Sequence, residues 1–297
     1  MLWSIPKSDT KAARKPLIPP TSIPGLLLRN PTAVIGGAII LLMALMAIFA
    51  PLIAPYDPVQ IDLRSRLQAP SWAHFFGTDN VGRDIFSRIV YGARVSLLIG
   101  LAVIGLAGTV GSLLGATAGY FGGKLDNFIM RCMDVILSFP SLVLAMALAA
   151  ALGPSLRNAI LAVAVVQIPK FARMARGEAL AIREKIFVKA AKVSGFRAPW
   201  IIIHHILPNC MGSLMVLATL TIGDTILVAA SLSFIGLGAQ PPTPEWGAMV
   251  SSGRDFIPEQ WWYPTFPGLF IVFTVIGFNI FGDALRDVLD PRVRGQR

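Results

Sequence analysis

Six apolar runs, each close to the length of a bilayer crossing, limit what this chain can fold into. They lie at approximately 31–55, 94–118, 133–153, 158–176, 212–236 and 265–285. A helix needs about 20 apolar residues to cross the hydrocarbon core, and a backbone surrounded by lipid must satisfy its own hydrogen bonds. The expectation is an all-α membrane protein with six transmembrane helices. Composition agrees, since only 14% of the 297 residues are charged, against about 25% in soluble domains. The fourth run is interrupted by Pro169 and Lys170, which allows its end to bend into the cytoplasm with Lys170 and Arg173 reaching the headgroups.

The net charge of +10 would suggest nucleic acid on a soluble protein. Here the basic residues fall in clusters between apolar runs, so they set orientation instead. Six spans put both termini on one side. That side collects Lys7, Lys11, Arg14, Lys15 and Arg29, the pair Lys124 and Arg131, and a long basic segment from Lys170 to Arg197, with Arg286, Arg292, Arg294 and Arg297 at the end. The other side holds Arg64, Arg66, Arg83, Arg88, Arg94, Arg157 and Arg254. The richer face is read as cytoplasmic. About thirty mixed residues precede the first run, too long for the n-region of a cleaved signal, so that run reads as an uncleaved anchor. Cys132 and Cys210 form no CxxC spacing and read as inert thiols.

Within span two, Gly111, Gly115 and Gly119 recur at i, i+4 and i+8. Small residues on one helical face admit a neighbouring helix closely; tight packing within the subunit is the expectation. In Gly82–Ala93, apolar Ile85, Phe86, Ile89, Val90 and Ala93 share one face, opposite Arg83, Asp84, Ser87, Arg88 and Tyr91. That pattern predicts an interfacial amphipathic helix leading into span two. Asp79 and Asp84 lack EF-hand spacing and a closing Glu, which leaves an Asx-turn with an Asp–Arg pair. His204 and His205 are adjacent rather than four apart and make a poor metal pair, and His74 stands alone. The loop 240–266, with Trp246, Trp261 and Trp262, reads both as an interfacial belt and as an outer docking face.

Asp224 sits in the apolar fifth run, about twelve residues or roughly 18 Å past its cytoplasmic start. Two readings stand: it lines a translocation path, or it bonds to a neighbouring helix. The stretch Gly119–Leu125 lacks the spacing of a P-loop and so cannot cradle phosphates. No catalytic constellation is present either, which argues against a membrane-embedded enzyme. An ion-driven secondary transporter would need an inverted repeat and several intramembrane ionisable groups; no clear repeat is present.

From Glu178, the run EALAIREKIFVKAAKVSG predicts one helix ending at Gly195, where a left-handed backbone fits. Pro199 suits the first turn of a second helix. This cytoplasmic hairpin would expose Phe187, Ala190, Ala191 and Val193. The segment KAAKVSG…ILPN, about 177–209, resembles the EAA loop of importer-type ABC permeases, with Ala190, Ala191, Gly195 and Pro208 matching, Leu207 before the proline, and Lys189 in the usual Glu position. The stretches Phe76–Leu97, Ala230–Met249 and Phe278–Arg292 resemble the C-type permease of dipeptide, oligopeptide, glutathione and nickel importers.

The resemblance implies a type I ABC importer permease fold with a cytoplasmic EAA coupling loop. It implies that Phe187, Lys189, Ala190, Ala191, Gly195, Leu207 and Pro208 couple the chain to an ATPase, with Asp224 on the translocation path. It further implies no cofactor in this chain, a second homologous permease, two ABC ATPase subunits and an extracytoplasmic peptide-binding protein. Residues 1–30 and 287–297 would then be cytoplasmic tails, 31–93 the first span with its outer loop, and 94–286 the permease core. The cargo expected is a di- or oligopeptide, with glutathione or nickel complexes as the alternative.

Overall fold

The structure, a computed structural model, describes residues 23–289. The expected roles of the outermost tails, including Lys7, Lys11, Arg14, Lys15, Arg292, Arg294 and Arg297, fall outside the described residues. Among the described residues the secondary structure is helical, apart from one isolated bridge between Thr78 and Asp84. The elements are α1 (Ile23–Arg29), α2 (Pro31–Ile48), α3 (Ala50–Ile53), α4 (Ile85–Phe121), α5 (Gly123–Leu137), α6 (Ser141–Leu152), α7 (Leu156–Ile182), α8 (Ile186–Val193), α9 (Ala198–Ile201), α10 (Leu207–Phe234), α11 (Trp246–Gly253) and α12 (Trp262–Leu289). Five helical stretches are long and apolar enough to cross a membrane, and α5 with α6, bent by 91° between them, makes a sixth, broken span.

The glycine row of span two does what small residues on one face permit. Helix α4 packs most extensively on α7. A Cβ on Gly115 would lie 2.1 Å from the carbonyl oxygen of Ala172, and one on Gly111 would lie 2.6 Å from that of Ile168. One step further, a Cβ on Gly119 would meet Ala179 and the Arg176 carbonyl at 2.7 Å. The backbones are in contact, so packing within the subunit consumes this face. Along the same seam Val103, Ala107, Phe171, Ala172 and Ala175 are buried.

Three expectations change here. The separate interfacial helix is absent: α4 starts at Ile85, capped by Asp84, and runs unbroken for 37 residues to Phe121. Its polar face is not wet. Ser87 and Arg88 are buried, because the loop after α3 folds over them: the Tyr56 amide donates to the Ser87 hydroxyl at 3.1 Å and Arg88 donates to the Pro58 carbonyl at 2.9 Å. Secondly, the helix does not end at Pro169: α7 continues through it to Ile182. Pro169 is buried there, among neighbouring helices that can satisfy the backbone group it leaves free. Thirdly, span three is broken at Ser138–Pro140, because Pro140 disfavours a helical residue before it.

The end of the bundle opposite the basic hairpin is one consolidated cap. Asp79 accepts from the Val81 and Arg83 amides at 2.9 Å each and pairs with the Arg83 guanidinium at 2.6 Å. This is the expected Asx-turn with its Asp–Arg pair. His74 is not alone, since its Nδ1 lies 3.0 Å from Asp84. Trp246 and Trp262 are buried while Trp261 is exposed, so only one of the three supplies a belt. The Trp246 indole donates to the Ile89 carbonyl at 3.0 Å, and it fits because Gly92 beside it has no side chain. Glu245 caps α11 through two amides at 2.9 and 2.8 Å. Burial nonetheless pushes its carboxyl above the ordinary glutamate range.

Candidate functional site

The basic segment folds as a hairpin between α7 and α10, and its break points differ from the single helix expected from Glu178. Glu178 belongs to α7, where its Oε1 accepts from the Ser213 hydroxyl of α10 at 2.6 Å. The chain leaves the helix at Arg183, passes an extended Lys185 (φ −68°, ψ 147°) and re-enters as α8. Arg183, the C-cap of α7, reaches across with its side chain to cap the Gly119 carbonyl at 2.9 Å. That bond satisfies an orphan acceptor at the end of α4.

Helix α8 ends as the glycine predicts. Gly195 has φ +81°, its amide donates to the Lys192 carbonyl at 3.1 Å, and the Phe196 amide donates to the Ala191 carbonyl at 3.2 Å. Those two bonds make a Schellman cap. Pro199 then lies in the first turn of α9. The chain continues through a π-helical turn, Ile202–Ile206, directly into α10. Leu207 and Pro208 are therefore the first residues of span five rather than the close of a loop.

Burial divides the proposed coupling residues. Val188 and Ala191 point inward and join the main core with Ile201, Ile202 and Ile206. Ala191, expected to be exposed, is buried, because its i, i+3 spacing from Val188 sets both on the anchoring face. Phe187, Lys189, Ala190 and Pro208 are exposed. Sequence reasoning missed the most exposed apolar side chain of the first turn, Ile186, at 87%. Val193 at 89% is its counterpart in the last turn. Phe196, half exposed, stacks on Trp200 at 4.2 Å, and Trp200 stacks on His204 at 4.6 Å. A signal for Ile186 existed: it lies two residues before Val188, on the side of the helix that the buried pair leaves free.

Lys189, in the position where the EAA pattern has Glu, pairs with Glu184 at 3.1 Å. The hydrogen bond from Lys189, and then its charge, hold the Glu184 carboxyl below its ordinary value. The arginines behind the hairpin are also engaged. Arg176 grips buried Asp126 of α5 through two bonds at 2.9 and 2.7 Å, and Arg173 pairs with Asp134 at 2.6 Å. Through α7, then, the hairpin is fastened to α5, α4 and α10.

The P-loop-like stretch is a helix–helix turn. Gly122 and Gly123 take φ +66° and +58° between α4 and α5. Asp224 is exposed on α10 and borders a cavity of about 150 Å³ with Ser141, Gln167 and Lys170. Neither of its carboxylate oxygens has an ion-pair or hydrogen-bond partner among the described residues. Lys170, expected near the headgroups, faces the same cavity from the middle of α7.

Residues 111–295, well over half of the chain, match the family described as binding-protein-dependent transport system inner membrane component. The chain belongs to this family. Residues 26–70 match a second description, the N-terminal transmembrane domain of oligopeptide transport permease C, so the chain is a permease of the C type. Membership makes it a non-catalytic, multi-span inner-membrane subunit of an ABC importer, served by a binding protein and ATP-hydrolysing partners. One relative in Escherichia coli, described as a probable D,D-dipeptide transport system permease protein, is 55% identical over 268 residues, 90% of each chain. A dipeptide transport system permease protein of Alkalihalophilus pseudofirmus is 48% identical over 90% of this chain and 88% of its own. A glutathione transport system permease protein of Escherichia coli is 44% identical over the same shares. Among solved structures, inward-facing conformations of the MetNI methionine ABC transporter match with TM-score 0.51 and 20% identity, covering 69% of this chain and 97% of that one. That likeness carries the fold alone: a type I ABC importer permease.

Proposed function

We propose that this permease forms half of the path by which an ATP-driven importer moves short peptides inward, pairing with a second homologous permease. Its hairpin faces the cytoplasm, a reading supported by the lysine and arginine distribution, and seats in a cleft of an ATPase subunit. One observation carries the coupling role. Ile186, Phe187, Val193 and Phe196 are exposed apolar side chains on a hairpin whose base is fixed to three spans. An apolar cluster in water calls for a partner groove, and its anchoring turns partner motion into helix motion. ATP and cargo then drive access only if each favours one conformation over the other. Peptide cargo is supported by the dipeptide permeases among the relatives.

Site-directed cross-linking in cells tests this reading, after Cys132 and Cys210 are replaced. Ile186→Cys and Phe187→Cys should capture an ATPase subunit, and Ala191→Cys, whose side chain is buried, should not. The reconstituted complex should take up a labelled dipeptide only with ATP. Bare hairpin positions in cells that still take up peptide would overturn the coupling role.

A further inference from the structure

The second half of the broken third span is too short to cross a bilayer. Helix α6 has 12 residues, about 18 Å of helix against a hydrocarbon core of about 30 Å, so the break that exposes its N-terminus falls within the span. That end is preceded by Pro140 and has no side-chain cap, which leaves its first amides, with their partial positive charge, unclaimed. Ser141 at this end lines the cavity bordered by Gln167, Lys170 and Asp224. The space is about 150 Å³, some ten times what one water needs.

Two opposite charges share the space without closing on each other. Lys170 and Asp224 both line it and are both exposed, yet no N–O approach within 4 Å joins them or ties either to another described residue. A pair kept for packing would close, since unpaired intramembrane charge is expensive. Gln167 adds an independent sign. It is 96% buried by its 4% exposure, its Nε2 donates to Thr225 at 3.1 Å, and its Oε1 has no partner among the described residues. The remaining wall, Val163, Val166, Leu227 and Val228, is apolar.

We propose that this cavity is a dipolar way-station in the path, taking the free ammonium of a peptide at Asp224 and its free carboxylate at Lys170 and the α6 N-terminus. Gln167 offers its carbonyl oxygen to a peptide amide, and the valines and leucine cover small side chains. The proposal rests on the peptide-importer reading and names the chemistry it requires: both termini free. A half-helix N-terminus facing an anionic group is a recurring solution at membrane depth.

The test uses the complete reconstituted importer with its binding protein and a labelled dipeptide, reading uptake and ATP hydrolysis together. Asp224→Asn and Lys170→Gln should each lower peptide moved per ATP about tenfold, a loss typical of leaving one charge of a buried contact unpaired. ATP hydrolysis stimulated by the loaded binding protein should persist, showing that assembly and coupling survive. Asp224→Glu and Lys170→Arg should recover most of the loss, and the double variant should fall below either single one. Wild-type yield from both single variants would overturn the site. So would restored uptake in the double variant, the mark of a structural pair. A wild-type complex that hydrolyses ATP but moves no peptide would instead overturn the importer reading, and this site with it. In the unmutated complex, a hydrophobic carbodiimide should label Asp224 more slowly when peptide and loaded binding protein are supplied than with ATP alone; equal rates count against the site.

Discussion

The two ends of this permease handle polar and apolar side chains in opposite ways. At the end closed by the loops after α3 and α10, Asp79, Asp84, Arg83, Arg88, Glu245 and Trp246 are largely withdrawn from solvent and bonded to one another or to backbone. At the opposite end the hairpin keeps its charges wet and leaves Ile186 and Val193 almost fully exposed. A region that satisfies its own groups is finished when the chain folds. A region that displays apolar side chains beside unspent charge is completed by something else. The contrast separates residues whose loss damages the fold from residues whose loss damages coupling.

Arg88→Met should show the largest effect on the fold. Arg88 donates to Pro58, reaches the Pro242 carbonyl at 3.4 Å and lies 3.7 Å from Asp79. Its removal leaves those acceptors dry and unpaired and lowers the positive potential around a buried carboxylate, at a cost of about 3 kcal/mol. Thermal unfolding in detergent should fall clearly, and yield with it. A matching loss of stability from Ile186→Ser would erase the contrast. The expectation for Ile186→Ser is unchanged unfolding with loss of ATPase capture.

Gly195 sharpens the comparison at an intermediate scale. A Cβ there meets nothing within 4 Å, so substitution tests the backbone alone. At φ +81° an L side chain costs about 1–2 kcal/mol, enough to open the Schellman cap and let α8 fray. Gly195→Ala should reduce ATP-driven uptake and speed amide exchange in residues 186–193, while Gly195→Asn, better tolerated in this conformation, should lie between. Global unfolding should not move in either. Gly115→Ala is the contrasting glycine, because its Cβ would strike the Ala172 backbone and the damage would fall on the α4–α7 seam.

Much of this was legible in the chain because it rests on local rules. Apolar run length sets the spans, Gly111, Gly115 and Gly119 declare a close helix contact, and Gly195 announces a helix end. What escaped depends on neighbours distant in sequence. Arg88 reads as solvent-facing until Pro58 and Pro242 are known to cover it. Lys170 reads only as a headgroup contact until it is found lining a cavity with Gln167 and Asp224. Ala191 turns inward because Val188 anchors the helix, a preference that the composition of the loop does not carry. The Asp224 cavity needs three helices and a bend to exist, so only its single acid was visible beforehand.

The smallest expected effect concerns Lys189, where the chain departs from the EAA pattern. Its partner Glu184 is fully exposed, and Arg183 also lies 3.4 Å from it. A carboxylate whose folded pKa is depressed contributes stability above its ordinary value of 4.5 and loses it as pH falls through the lower, folded value. As pH falls from 4.5 through the lower, folded value, the amides of α8 should therefore exchange progressively faster relative to those of α7, as Glu184 takes up its proton. In Glu184→Gln that slope should vanish, with exchange near the wild-type low-pH rate throughout, because the neutral amide cannot pair with Lys189. Uptake should change less than about twofold, since an exposed ion pair screened by salt contributes little. A large loss of uptake with unchanged exchange would instead assign Glu184 to the partner, as a charge that the ATPase reads.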